Sequence, residues 1–386
     1  MKTVCEINKC TGCMACMDIC PADAVRIEDQ LDACNAVIQE DRCLRCRACY
    51  NVCPNNSSVQ ALKPKEWYQG WAAKDRLRRN GASGGAAAAV AEAFIKNGGI
   101  VCACTFRDGE FIYEFADRLE ALHGFSGSRY VKSSPYGVYK RIKEKLVAGG
   151  KILFIGLPCQ AAAVKNYIGE KNGENLFLID LICHGTPSPK LLELFLEQYG
   201  ASLKGLKDIR FRAKTEEQED ARSIVEGASD RYSTAFLHGL TYTENCYICP
   251  YARMERVSDL TLGDSWGSEM EIEEQKKGIS LILCQTEKGR ELIDQAELCL
   301  NPVDLDKAVE NNEQLKFPSS APKGRNGFFE DVKNGHKFDS AVFRYLPEQC
   351  VRQSIKRTLA GTGILRILRK ERQTLNYSII IKETAR

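Results

Sequence analysis

No apolar run in this chain approaches the twenty or so residues that a membrane-spanning helix needs. The opening Met-Lys-Thr-Val-Cys lacks the apolar core of a signal peptide, which predicts a cytoplasmic protein. An excess of one charge is also missing: 54 Lys+Arg against 51 Asp+Glu leave a net +3, with no push toward nucleic acid. No Ser-His-Asp or Cys-His nucleophile arrangement is evident, so no catalytic side chain is assigned. The dinucleotide fingerprint G-x-G-x-x-G is absent as well. What the 386 residues hold in abundance is cysteine, nineteen in all.

Eight of these fall in two matching runs: Cys10-x₂-Cys13-x₂-Cys16-x₃-Cys20-Pro21 and Cys43-x₂-Cys46-x₂-Cys49-x₃-Cys53-Pro54. Each is the C-x₂-C-x₂-C-x₃-C-P run of bacterial two-cluster ferredoxins, whose fourth cysteine ligates the other cluster. This assigns Cys10, Cys13, Cys16 and Cys53 to one 4Fe–4S cluster, and Cys43, Cys46, Cys49 and Cys20 to the second. Structural zinc does not need four cysteines per run, twice. Disulfides are disfavoured in a reducing cytoplasm. A module with two clusters carries one-electron traffic and implies a redox protein partner or catalytic subunit.

Residues 1–62 therefore read as an internally duplicated ferredoxin unit. Val4–Ile7 and Ala36–Ile38 lead into the ligand loops as short strands; Val25–Ile27 and Val59–Leu62 lead out. Residues 63–80 read as a linker, in which Trp67 and Trp71 have the spacing of a helix face. Gly81-Ala82-Ser83-Gly84-Gly85 then feeds the alanine-rich run Ala86–Lys96, predicted helical with Ser83 as its cap. Such a turn suits a phosphate, although glycines before a helix are more often only a turn.

Ile100–Phe106 reads as a buried strand with Cys102 and Cys104 as core thiols, and Asp108-Gly109 as a hairpin turn. Pro135 opens a helix reaching Ala148. The apolar strands at 151–156 and 175–182 each run into a motif, Leu157-Pro158-Cys159-Gln160 and Cys183-His184-Gly185-Thr186-Pro187. Strands alternating with helices predict an α/β domain with parallel strands, whose ligands collect at the strands' carboxyl ends. Lys214–Ala221 reads as a mobile acidic loop. Residues 346–386 form a basic tail, read as a solvated helix face, with weak contact to a membrane surface as the other reading.

Cys159, Cys183, Cys246 and Cys249 add up to the four ligands of a third cubane. From spacing alone, zinc on the same four and plain buried thiols stay open.

These motifs, with Ser83-Gly84-Gly85, Cys246-x₂-Cys249-Pro250-Tyr251 and Leu262-Gly263-Asp264-Ser265-Trp266-Gly267, resemble the coenzyme F420 hydrogenase/dehydrogenase beta-subunit family over residues 80–345. The region divides at residue 155 into N- and C-terminal parts, 81–155 and 156–345. The resemblance implies a third 4Fe–4S cluster on Cys159, Cys183, Cys246 and Cys249, and FAD beside it. It implies that Ser83, Gly84 and Gly85 meet the flavin pyrophosphate, and that Ser128, Arg129, Tyr130 and Lys132 lie near the flavin or substrate. The family often has lysine where this chain has Arg129. His184 is expected to support a ligand by hydrogen bonding rather than to catalyse.

The expected protein is an iron–sulfur flavoprotein oxidoreductase, with a deazaflavin (coenzyme F420) or another organic compound as its small-molecule substrate. The alternatives are a ferredoxin-dependent reductase that does not use coenzyme F420, a non-catalytic electron-transfer subunit, and a scaffold of zinc and iron without flavin.

Overall fold

The computed structural model describes residues 2–212, 222–223, 231–361 and 380–383. At the N-terminal end, β1 (Val25–Asp29) and β2 (Cys34–Ile38) pair antiparallel between two short helices, Ala15–Asp18 and Ala48–Val52. The duplication extends to backbone geometry. Gly12 and Met14 in the first ligand loop, and Arg45 and Arg47 in the second, all have left-handed φ angles between 55° and 70°. Of the other two expected strands, Val4–Ile7 supplies only backbone bonds beside β2, and Val59–Leu62 only the bridge from Leu62 to Arg256.

An eight-stranded mixed sheet forms the rest of the frame. Its members are β3 (Glu66–Ala72), β4 (Ile100–Arg107), β5 (Glu110–Ala116), β6 (Ile152–Gly156) and β7 (Leu176–Leu181). After β8 (Leu206–Arg210) and β9 (Arg222–Ser223), which lie outside it, come β10 (Leu260–Asp264), β11 (Ser280–Cys284) and β12 (Leu298–Asn301). The order is β12-β3-β11-β10-β7-β6-β4-β5. Its centre, β10-β7-β6-β4, is parallel as expected, and the flanking pairs are antiparallel. Apolar residues of β6 and β7, among them Leu153, Phe154, Leu178 and Ile179, are buried, as central parallel strands require. Asp108 and Gly109 make the β4–β5 turn as predicted.

Three expectations are corrected here. The stretch 63–80 is no linker: β3 is held between β11 and β12, and Asp75–Asn80 is helical. Trp67 and Trp71 therefore sit on a strand, where residues four apart share a face just as they do on a helix. The division at residue 155 falls inside β6, so the two halves of the region form one sheet. The helix expected from Pro135 begins at Val138, where Asp18 of the ferredoxin unit accepts the backbone N–H groups of Gly137 (2.6 Å) and Tyr139 (3.1 Å). A carboxylate on those free donors is an N-cap delivered from another unit.

The loop expected at Lys214–Ala221 lies outside the described residues. Of the basic tail, Pro347–Gly361 is helical, and β13 (Ile380–Glu383) pairs with β8 and β9. Arg366, Arg369, Lys370 and Arg372 lie outside the described residues. Among the described residues no helix is long and apolar enough to cross a membrane.

Candidate functional site: three adjoining cavities

The first ligand run converges as its spacing requires. Cys10, Cys13, Cys16 and the distant Cys53 line one small enclosed space. The backbone N–H of Gly12 donates to Cys10 Sγ (3.4 Å), and Arg45 N–H repeats the contact at Cys43 Sγ (3.4 Å). Cys20 crosses to the second set: its sulfur acts electrostatically on Cys49, with Cys43 and Cys46, and accepts from Ala24 N–H (3.2 Å). The first set is buried. The second lies at the surface, with Cys46 exposed, Leu44 68% exposed and Tyr50 43% exposed. Sequence reasoning missed Cys5, whose sulfur is within hydrogen-bonding reach of those of Cys10 and Cys53. It lies outside the C-x₂-C pattern and carries no local signal.

Cys159, Cys183, Cys246 and Cys249 line a second cavity of about 400 Å³. Two of them follow β6 and β7, neighbouring parallel strands, at their carboxyl ends. Gln160 fixes the first turn. Its Oε1 accepts from Leu157 N–H (3.0 Å) and Tyr113 O–H (2.6 Å), and its Nε2 donates to Ser133 Oγ (3.1 Å). The segment after Cys249 is tied down by Arg256, which donates to Asp180 Oδ1 (2.8 and 3.1 Å), Tyr251 O (2.8 Å) and Leu181 O (2.9 Å). Burial, then the charges of neighbouring thiols, pushes Cys183 up to about 12 and Cys159 well above the ordinary thiol value. Thiols raised in this way give up their protons only to a cation that compensates them.

The largest of these three cavities, about 450 Å³, opens at the carboxyl ends of β4, β6, β7 and β10. Ser83 and Gly85 line it, as do Ala86, Ala87 and Ala88 from the first turn of the helix Ala86–Lys96. Methyl side chains leave that turn's free N–H groups approachable, the arrangement that suits an anion. Gly85, at φ 81°, occupies the cap position expected for Ser83, and Ser83 Oγ donates instead to Ile279 O (2.8 Å). Gly84 points away from the cavity, and a Cβ there would meet Ser280 N at 2.6 Å. Its task is to seat the turn on the sheet rather than to admit a phosphate.

Ser128, Arg129 and Tyr130 line the same cavity. Arg129 donates to Ile209 O and pairs with Asp208 (3.2 Å), while its buried Nε has no hydrogen-bond partner. Lys132 does not belong here. Its side chain runs the other way, into the cysteine cavity. Cys104, expected to be a core thiol, faces the large cavity because it sits nearer the carboxyl end of β4 than Cys102 does. The strand-end rule could have found it. Arg212, buried and paired with Asp264 (2.7 Å), and Tyr242 also line the cavity, and nothing local in the sequence marked either.

The cavities adjoin. Leu157 and the loop Cys183, His184, Gly185 and Thr186 face both the largest cavity and the cysteine cavity. Thr11 and Asn55 face both the cysteine cavity and the space lined by Cys10, Cys13, Cys16 and Cys53.

The family profile for the N-terminal region of the coenzyme F420 hydrogenase/dehydrogenase beta subunit matches residues 67–138, and the profile for its C terminus matches residues 149–302. A 4Fe-4S dicluster domain profile matches residues 9–57. No curated protein matches the chain. Among solved structures, it is similar to a chain of the F420-reducing [NiFe] hydrogenase complex from Methanosarcina barkeri. Identity is 18% and the TM-score 0.46, over 71% of this chain and 94% of that one. The chain is thus an iron–sulfur redox protein that belongs to the coenzyme F420 hydrogenase/dehydrogenase beta-subunit family and carries a 4Fe–4S dicluster domain at its N-terminal end.

Proposed function

We propose that the chain is a flavin-dependent oxidoreductase linking a one-electron carrier protein to an organic hydride donor or acceptor, coenzyme F420 being the one that the family name suggests. In this reading Cys10, Cys13, Cys16 and Cys53 hold the first cluster, and Cys43, Cys46, Cys49 and Cys20 the second. Cys159, Cys183, Cys246 and Cys249 hold a third 4Fe–4S cluster, and FAD occupies the largest cavity. The observation that carries the reading is the shared walls: three spaces in series, each separated from the next by a few residues. When bound, the flavin supplies the exchange between a hydride pair and single electrons, and the clusters supply one-electron carriage.

The chain's own part is positioning. Gln160 and Arg256 fix the segments that bear Cys159 and Cys249, and the turn at Ser83–Gly85 offers backbone donors. Arg129 brings a buried positive charge to the same cavity, suited to phosphate or to an anionic substrate. One observation favours a cubane over zinc on the third cysteine set: its cavity of about 400 Å³ is far larger than one ion needs.

Anaerobic purification with quantified iron, sulfide, zinc and flavin tests this. About twelve irons and one FAD per chain are expected. About eight irons with one zinc would reassign the third cysteine set to a structural zinc site, and absence of flavin would remove the enzyme reading.

A further inference from the structure

The segment from Val131 to Ser134 passes between the first ferredoxin ligand loop and the loop that follows Cys183. Lys132 N–H donates to Pro187 O (2.9 Å), and Ser134 Oγ lies 3.2 Å from Met14 Sδ. This backbone position sends the Lys132 side chain into the gap between the two loops. Its Nζ donates to Thr11 O (2.9 Å), inside the run that supplies Cys10 and Cys13, and to Thr186 Oγ1 (3.1 Å). Thr186 Oγ1 in turn contacts Cys246 Sγ (3.8 Å). A continuous polar path thus runs from the first ligand loop, through one ammonium and one hydroxyl, to a sulfur of the third set. Two of the ammonium's three donors are used, which leaves one for the cysteine cavity it lines.

The first ligand loop is shaped around this side chain. Gly12 stands where the second loop has Arg45, both at left-handed φ. A Cβ on Gly12 would meet Lys132 Cδ at 2.8 Å, whereas the loop bearing Arg45 is exposed. A buried lysine is costly unless negative charge compensates it. The sulfurs of Cys34, Cys246, Cys159 and Cys10 lie around it, drawn from the ferredoxin unit and the α/β domain alike, and those of the ligand sets would supply that charge when they hold a cluster.

We infer that Lys132 is a positioning and tuning residue: its buried ammonium joins the first cluster to the third and raises the reduction potentials of both relative to the second. The inference rests on the third-cluster reading above. Reduction adds negative charge to a cluster, and a fixed positive charge in a dry site stabilises the product of that step. In the loop of the second set the corresponding left-handed residue, Arg45, is itself exposed. Lys132 thereby makes the first and third clusters easier to reduce than they would be without its charge.

The test is a redox titration of the intact, iron-loaded chain, with each cluster followed by electron paramagnetic resonance. In Lys132→Met, which keeps the length and removes the charge, the potentials of the first and third clusters fall and that of the second does not. A tenfold loss in the reduction equilibrium, 59 mV for one electron, is the expected scale. Thr186→Val keeps the charge and removes the hydroxyl link. It moves the third potential while leaving the second unchanged, and it serves alone if the methionine variant does not fold. Full iron content with unmoved first and third potentials in Lys132→Met, or an unmoved third potential in Thr186→Val where only that variant folds, overturns the inference. Wild-type protein with about eight irons overturns the third-cluster reading instead, and the first cluster's shift still decides the role of Lys132.

Discussion

Replacing Arg256 with methionine isolates the support that the α/β domain gives to the third cysteine set. The side chains of Arg256 and Asp180 are 1% and 0% exposed, with Nη2 and Oδ1 2.8 Å apart. At an effective dielectric of about 20 the pair attracts by about 6 kcal/mol before desolvation is charged against it. Asp180 Oδ2 is buried without a partner, so Arg256 is what compensates this carboxylate. Removing one member of such a pair costs about 3–5 kcal/mol. Leu181 O loses the Arg256 donor as well, at about 1 kcal/mol, while Tyr251 O keeps the backbone N–H of Arg253 (3.0 Å). The double variant Asp180→Leu/Arg256→Met keeps the carbonyl loss but no longer strands a charge, so it should recover about 2–3 kcal/mol over the single variant. All three tryptophans, Trp67, Trp71 and Trp266, lie in or beside the large sheet, so tryptophan fluorescence in a denaturant series reports this domain. The single variant should also release the third cluster's iron first, because Arg256 anchors the segment after Cys249. A single variant within about 1 kcal/mol of wild type, or a double variant no better than the single, would refute the reasoning.

Further outcomes follow from the same geometry. Cys159→Ser replaces a soft ligand with a poor one, so iron should drop from about twelve to about eight per chain while flavin content holds; unchanged iron removes Cys159 from the ligand set. Gly84→Leu should lower flavin content without lowering iron, because its side chain would collide with the backbone at Ser280 and unseat the turn bearing Ser83 and Gly85; wild-type flavin content would separate that turn from the flavin. Arg45→Glu with Arg47→Glu reverses two exposed charges at the rim of the second set. Electron exchange with an acidic carrier protein should slow by about tenfold or more at low salt, with the difference shrinking as salt rises. Flavin reduction by a hydride donor should stay as it was, and a salt-independent or absent effect on exchange would move the docking point elsewhere.

Much of this protein was legible without coordinates, where chemistry is set by near neighbours. C-x₂-C-x₂-C brings three sulfurs to one loop whatever surrounds it. Asp108-Gly109 demands a tight turn, and an alanine run after glycines makes a helix. Apolar runs leading into Cys159 and Cys183 put those residues at strand ends, and the pairing of β6 with β7 made the ends neighbours. The convergence of Cys246 and Cys249 on the same cavity follows from tertiary packing, although their motif had already singled them out.

What only the tertiary structure decided depends on partners far away in the chain. Residues 63–80 read as a linker because Pro64 and the basic residues from Lys74 to Arg79 bracket the seven residues of β3; its strand state comes from β11 and β12, more than two hundred residues on, whose backbone groups it satisfies. Gly84 looked like a phosphate glycine because a sequence shows the absence of a side chain but not what fills the space. Lys132 sits two residues beyond Tyr130, close enough to be assigned to the same cavity, yet its ammonium is drawn the other way. The Thr11 carbonyl and the Thr186 hydroxyl accept its hydrogen bonds, and only folding brings them into one place.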